Sequence, residues 1–514
     1  MFDLPPLSPG IDPTLPADKK QLAEWLKQGE GRDISATIRR VYDTLKGLNR
    51  AELNDKNRFA MLELLADPIA DISSTLKRHY SGLDQPLPPP NRKIALSLGR
   101  LLRQYTIGYQ RLVMAASGQG NRFDPSGLHA IAHHRVIVLS AKALMVYYRA
   151  YLAPPGGIWL DMHRTYQQAQ KLSIGQITGG PNGQQQNLEQ AYLTALLCDL
   201  ADPYRLTAGD IDRVRDYVRD HLQLCLVGSG SQAQKKPGLF IVHFAIDVGA
   251  QEVGDIILRS ERDGFLLDTS KLVKTIHQQL TDLGHKATPA GQWLEQKKHI
   301  AMLRCLVVAF ALRPNRQQER SAADGELWVI RGLKTVHLHI ASHSTDESSL
   351  PEIELEDSLE SPAIPMPSTG NDMHHWDLLD QSPGGFALLR EATGHARIAI
   401  GDLLAFANSP EGPWQTGVVK RVRYRGEEDL IVGVQRLSGK AQAVSVVAAE
   451  EAGDKQPALL HRGEINDGVQ ATLLLPLGHW QSGDSVRLEK LGKLQLGHIV
   501  ELTAQFELFE VTAL

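Results

Sequence analysis

Three residues in the last third of the chain combine hydrogen-bonding chemistry with a fixed spacing. They are Asp380, Ser382 and Gly385, in the order Asp-x-Ser-x-x-Gly. A carboxylate and a hydroxyl two positions apart on a strand point to the same face, so both can contact one planar ligand. Gly385 would let such a ligand approach the backbone, because glycine has no Cβ. The motif alone leaves two interpretations open: a hydrogen-bonding site for a flat, polar molecule, or only a polar turn between strands.

Strand-like runs that could position this cluster follow it, at residues 401–406, 414–423 and 430–438. Together with residues 380–386 they resemble the PilZ domain, a small β-barrel that many bacteria use to bind cyclic di-GMP. The resemblance implies that Asp380, Ser382 and Gly385 contact a guanine base, whose N1 and N2 groups donate hydrogen bonds. It also implies an upstream Arg-x-x-x-Arg element, whose guanidinium groups hold phosphates and stack on bases.

The upstream arginines are expected to be missing, because no lysine or arginine occurs between Lys334 and Arg390. Other residues would then have to supply the cations. The nearest cluster is Arg421, Arg423 and Arg425, which would share one face of a strand. The candidates for stacking on a base are Trp376, His374 and His375. In the alternative interpretation, the residues from Asp380 to Gly385 form only a polar turn and the arginine face is solvated.

Composition restricts the class of protein. A chain of 514 residues is too long for one hydrophobic core and should form several domains. Its 42% hydrophobic and 22% charged residues are typical of a globular protein, and a net charge of -4 gives no global attraction for nucleic acid or anionic membranes. We expect no signal peptide, no membrane insertion and three reduced, buried cysteines, and hence a cytoplasmic location.

Hydrophobic periodicity predicts a multidomain α+β protein. Helical patterns dominate residues 1–227, which we interpret as a helical interaction region, and residues 233–342 indicate a mixed α/β domain. Residues 343–370 contain seven acidic residues with several prolines and serines, the composition of a solvated linker. Residues 371–514 predict a PilZ-like β-barrel with added C-terminal strands.

A hairpin is predicted at the end of the α/β domain, with strands at residues 327–330 and 335–340 and a turn at Gly332. His337, His339 and His343 lie in or beside its second strand, but no further ligand completes a metal shell, so we expect no metal site. No sequence motif of a hydrolase or an oxidoreductase is present. We therefore expect no enzymatic activity and no cofactor besides the dinucleotide ligand.

The domain order is similar to that of bacterial receptors of the FimW type, which are linked to type IV pili and surface attachment. Residues 48–50 and 202–204 contribute to this resemblance. It implies a cytoplasmic receptor that binds cyclic di-GMP and passes this second-messenger signal to a protein partner through the helical region. The alternative is a degenerate barrel that has lost its ligand and serves as a scaffold or a chaperone-like interaction module.

Overall fold

The structure is a computed structural model. It describes residues 2–8, 16, 18–27, 34–118, 127–178, 186–228, 236–254, 258, 260, 262–285, 292–311, 321–343, 373–390, 397–426, 428–448, 455–462, 471–478, 480–489 and 491–514. The chain forms two compact units. The first, here called the helical unit, contains Met1–Leu83, Leu87–Asp282 and Leu303–Asn315. The second, the barrel unit, contains Asp84–Pro86, Leu283–Met302 and Arg316–Leu514.

The described residues contain α-helices and β-strands with the following bounds. The helices are α1 (Lys19–Lys27), α2 (Ile34–Leu48), α3 (Asp55–Leu64), α4 (Ala66–Lys77), α5 (Pro89–Gly118), α6 (Leu128–Arg149), α7 (Ile158–Lys171), α8 (Leu188–Leu200), α9 (Ala208–Asp220), α10 (Ser270–His285), α11 (Trp293–Ala311) and α12 (Leu333–Ser342). The strands before the barrels are β1 (Leu226–Gly228), β2 (Leu239–His243), β3 (Gln251–Glu252), β4 (Gly264–Asp268) and β5 (Ser321–Ala322).

The remaining strands build the two barrels described below. They are β6 (Glu326–Arg331), β7 (Met373–Ser382), β8 (Gly385–Arg390), β9 (Leu403–Ala407), β10 (Gln415–Arg425), β11 (Asp429–Arg436), β12 (Lys440–Ala448), β13 (Gln456–Arg462), β14 (Thr472–Pro476), β15 (Ser485–Leu488), β16 (Gly492–Leu502) and β17 (Phe506–Ala513).

The helical unit confirms the predicted helical N-terminal half. Its longest helices, α5 and α6, pack against each other through buried apolar and tyrosine side chains. Local sequence sets the helix ends: Asn187 and Gln190 form a reciprocal capping box at the start of α8. The unit also contains a four-stranded sheet in the order β1-β4-β2-β3. None of the described helices is long and apolar enough to cross a membrane.

The first barrel of the barrel unit is closed by six strands in the order β6-β7-β8-β11-β10-β9, with β9 pairing back to β6. Strand β5 pairs with the C-terminal end of β7, at Asp380 and Gln381, beyond the residues that pair with β6. Alternation along the strands turns side chains such as Phe386, Leu388, Val422 and Val432 into the closed interior, where each is fully buried. Outward positions are left for contacts with solvent or with other parts of the unit.

The second barrel is closed by β12-β13-β14-β17-β16-β15. Its interior is a separate cluster that includes Leu460, Leu473 and Phe509. Outside the barrels, a third apolar cluster joins them: Leu403, Ala405 and Val418 of the first barrel pack with Leu333 and Val336 of α12. Its members from the second barrel are Leu459, Leu474, Phe506 and Leu508. The two barrels are therefore docked through apolar surface.

Several sequence-based expectations need correction. The predicted second hairpin strand is helix α12, because Leu333, Val336 and Ile340 at helical spacing pack against the barrels. Residues 371–514 form parts of two barrels instead of one extended barrel, and the first barrel takes β6 from before the acidic segment. Cys305 is exposed, whereas Cys198 and Cys225 are buried as expected. Except for His343, the predicted linker 343–370 lies outside the described residues.

The predicted mixed α/β domain at residues 233–342 is divided between the two units. Strands β2, β3 and β4 belong to the helical unit, whereas β5, β6 and α12 belong to the barrel unit. The division follows from strand pairing, because β6 is an integral strand of the first barrel.

Acid should destabilise the barrel unit through His461, a buried residue between the two barrels whose Nε2 lies 2.8 Å from Thr416 Oγ1. Burial lowers the pKa of His461 to about 4 from its ordinary value of 6.5. The stability supplied by the neutral ring is therefore complete above pH 6.5 and is lost as the pH falls towards about 4. We expect a loss of about 2 kcal/mol between about pH 7 and about pH 5.

Denaturant unfolding of the natural protein and of His461→Gln at both pH values would measure this loss. The variant should lose less stability between the two pH values than the natural protein does. An equal loss in both proteins would contradict the role of His461.

Candidate functional site

The candidate site lies on the outer face of the first barrel. Asp380 and Ser382 end β7, and a tight turn leads into β8, with Ser382 paired to Gly385. Within this hairpin the Ser382 hydroxyl donates to the Gly385 carbonyl oxygen over 3.1 Å. Asp380 pairs with Ala387, an outward position, so Asp380 and Ser382 point to the same outer face as their spacing predicts.

Gly385 is needed for a reason that the sequence did not show. A Cβ at this position would overlap the carbonyl oxygen of Val434 on the neighbouring strand β11. Glycine therefore lets β8 and β11 approach each other, whether or not a ligand also lies above it. A second close approach occurs at Gly433, where an added Cβ would lie 3.2 Å from the Cβ of Arg421.

One row of paired residues crosses the face from the arginines to the acid. Arg421 of β10 pairs with Gly433 of β11, which pairs with Ala387 of β8, which pairs with Asp380 of β7. Laterally paired residues point to the same side of a sheet. The row therefore has a guanidinium at one end, a carboxylate at the other and two small residues between them. Three strand spacings give a width of about 14 Å.

The three predicted arginines share the exposed face of β10, as the alternation predicted. Arg423 pairs with Ile431 and extends the cationic edge beside Arg421. Arg425 lies furthest along the strand and forms an exposed ion pair with Asp429 at 3.1 Å. The structure thus places Arg421 and Asp380 at the two ends of one row. Arg425 instead forms its ion pair with Asp429 of the same β10–β11 hairpin.

Trp376 is not on this face. Its side chain is only 3% exposed and points into the first barrel, where the guanidinium of Arg390 lies 5.5 Å from the ring centroid. The expectation that it stacks on a base is therefore not met by its position, because the bulge between Leu378 and Asp380 shifts the alternation of β7. His375 is exposed and lies 2.9 Å from Glu326 Oε2.

An arginine pair precedes β5 in the sequence and was missed. Arg316 and Arg320 have the spacing Arg-x-x-x-Arg, and the next two residues, Ser321 and Ala322, form β5. Strand β5 pairs with β7 so that Ala322 is opposite Asp380. The two arginines themselves lie outside the described residues. The interval from Lys334 to Arg390 does lack cations, but an Arg-x-x-x-Arg pair is present further upstream, immediately before β5.

Two family models match successive parts of the chain. The family model described as the N-terminal domain of the cyclic-di-GMP receptor FimW matches residues 20–231. The model described as the middle PilZ domain of the same receptor matches residues 239–366. Together they cover more than half of the chain. The chain belongs to the FimW-like PilZ family.

The cyclic-di-GMP receptor FimW of Pseudomonas aeruginosa is 22% identical over 533 aligned positions, which include 93% of this chain and 87% of the relative. No solved structure matches the chain. The match to the FimW middle PilZ domain includes the Arg316 to Arg320 segment and strands β5 and β6, and it ends before Asp380.

Proposed function

We propose that this FimW-like protein binds cyclic di-GMP on the outer face of its first barrel. The observation that carries the proposal is the single row from Arg421 through Gly433 and Ala387 to Asp380. Such a row offers hydrogen-bond acceptors at one end and cations at the other. Between them lie the small residues Gly433 and Ala387, which leave space above the sheet. The name of the Pseudomonas relative, a cyclic-di-GMP receptor, supports the same ligand.

The chemistry of the face suits each part of the ligand. Guanine N1 and N2 donate hydrogen bonds, which the Asp380 carboxylate can accept together with the Ser382 hydroxyl. Gly433 and Ala387 leave room for a planar base to lie against the sheet. Arg421 and Arg423 would hold phosphate oxygens from the far side, and Arg316 with Arg320 would supply the cations that the family's upstream element provides.

In this proposal the protein is a non-enzymatic bacterial effector that acts in the cytoplasm. The dinucleotide would change how the protein engages a partner through the helical unit, with type IV pilus or surface-attachment control as the output. Support comes from the FimW family match to the helical region.

Asp380→Ala should weaken cyclic di-GMP binding about tenfold to hundredfold, because hydrogen bonds to a charged group contribute about 1.5–3 kcal/mol. Calorimetric titration of the full chain, with cyclic di-AMP as the comparison ligand, measures the effect. Glu411→Ala, which removes an exposed acid between β9 and β10, is the matched control and should bind normally.

Two results would argue against this site. Unchanged affinity in a folded Asp380→Ala protein would exclude Asp380 as a base contact. Absence of any binding to the natural protein would favour the scaffold alternative.

A further inference from the structure

The two barrels have the same connectivity. In chain order the first uses β6 to β11 and the second uses β12 to β17, and the n-th strand of one occupies the ring position of the n-th strand of the other. They also share a turn before the fourth strand. Gly401 and Gly483 both have positive φ, and the following aspartates, Asp402 and Asp484, each accept a backbone N–H at 2.7 Å. The second barrel is thus a topological copy of the first.

Strand pairing gives a residue-by-residue correspondence. Leu378 pairs with Leu388 inside the first barrel, and Leu460 pairs with Leu473 inside the second. The outward positions next to them correspond in turn. Leu389 pairs with Ile431 in the first barrel, and Leu474 pairs with Leu508 in the second. The face of the second barrel that carries Leu474 and Leu508 is therefore equivalent to the nucleotide face of the first.

This equivalent face is occupied by protein. Leu474 is fully buried and Leu508 is 3% exposed, and both pack in the apolar cluster that contains Leu403, Ala405 and Val418 of the first barrel. A polar contact lies alongside, because His461, close to the position equivalent to Asp380, contacts Thr416 of β10. Apolar surface of the first barrel thus covers the part of this face beside the row equivalent to the Arg421 to Asp380 row, and Thr416 contacts that row at His461.

The floor of the equivalent face also differs in chemistry. Where the first barrel has the small pair Gly433 and Ala387, the corresponding pair in the second barrel is Glu510 and Thr472. A carboxylate at the centre would repel the phosphates of a dinucleotide, and both side chains would occupy the space that a base needs. The covering by protein and the changed floor are independent observations with the same implication.

We propose that the second barrel uses its copy of the nucleotide face to bind the first barrel, so that the chain offers one cyclic di-GMP-binding face, the one on the first barrel. The proposal rests on the proposed function for its nucleotide part. The part of the proposal that concerns docking of the two barrels depends only on the contacts observed within the barrel unit.

Thiol labelling of the full-length protein tests the docking part with a matched pair. Ile431→Cys and Leu508→Cys occupy equivalent positions on the two barrels, in a Cys305→Ser background that removes the exposed natural thiol. In the folded protein Ile431→Cys should react with a maleimide at least tenfold faster than Leu508→Cys. Comparable rates would overturn the docking role. Leu474→Cys provides a second covered position if Leu508→Cys does not fold.

Titration with cyclic di-GMP tests the nucleotide part. Asp380→Ala combined with Arg421→Ala should weaken binding at least about a hundredfold. The ligand should slow labelling of Ile431→Cys without affecting Leu508→Cys. A folded double variant that still binds with the affinity of the natural protein, or slower labelling of Leu508→Cys, would overturn the single-face proposal. If the natural protein binds no cyclic di-GMP, the proposed function and the nucleotide part both fail, and the labelling rates still decide the docking part.

Discussion

Replacing Arg316 and Arg320 together with alanine should lower the affinity for cyclic di-GMP by about two to four powers of ten. Charge-assisted hydrogen bonds from each guanidinium to phosphate contribute about 1.5–3 kcal/mol, and the two residues precede a strand whose second residue is opposite Asp380. Folding should be unaffected. Calorimetric titration at several salt concentrations measures both the affinity and its electrostatic part.

The matched control for this pair is Arg462→Ala with Arg487→Ala, which removes two exposed arginines from the second barrel. That protein carries the same change in net charge and should bind normally. If both double variants lose affinity equally, the effect comes from overall charge and the arginine pair has no specific role.

Lys297→Met should destabilise the barrel unit by about 3–5 kcal/mol, the usual effect of leaving a buried charge without its partner. Lys297 Nζ lies 2.6 Å from Glu507 Oε1, and the side chain of Glu507 is fully buried. The lysine also donates to the carbonyl oxygens of Gly478 and Trp480 at 3.2 and 2.8 Å. Burial raises the pKa of Glu507, so the carboxylate depends on Lys297 to remain charged.

A second substitution separates lost charge pairing from lost packing. Lys297→Met combined with Glu507→Leu removes both charges and should recover much of the stability lost in the single variant. Denaturant unfolding monitored by tryptophan fluorescence compares the two proteins. A double variant that is no more stable than Lys297→Met alone would show that the ion pair is not the cause.

Local patterns predicted much of the candidate site. Alternation along a strand placed Asp380 with Ser382, and Arg421 with Arg423, on shared faces, and the structure agrees. The same patterns did not predict that Trp376 points inward, because a bulge in β7 changes which residues face out. Bulges arise from pairing between strands, which a single strand's sequence does not show.

Contacts between segments that are distant in the sequence explain the larger errors of the sequence-based predictions. The Arg316 to Arg320 spacing is visible in the sequence, but the sequence does not show that β5, which follows this pair, lies beside β7 some 60 residues later. The β-branched residues of 335–340 favoured a strand, whereas packing of Val336 against both barrels stabilises a helix. The sequence did not predict that the two barrels share one connectivity, although the glycine-aspartate turn before the fourth strand occurs in both.

Strands β6 and β7 are neighbours in the first barrel, although residues 332–372 separate them in the sequence. The chain therefore leaves and rejoins the barrel at adjacent strands. Loop-closure entropy grows only with the logarithm of length, so doubling such a connection costs only about 0.6 kcal/mol. Changes in the length of the segment that follows α12 should therefore cost the first barrel little stability, so the outer face with Asp380 and Arg421 can be kept while this segment varies.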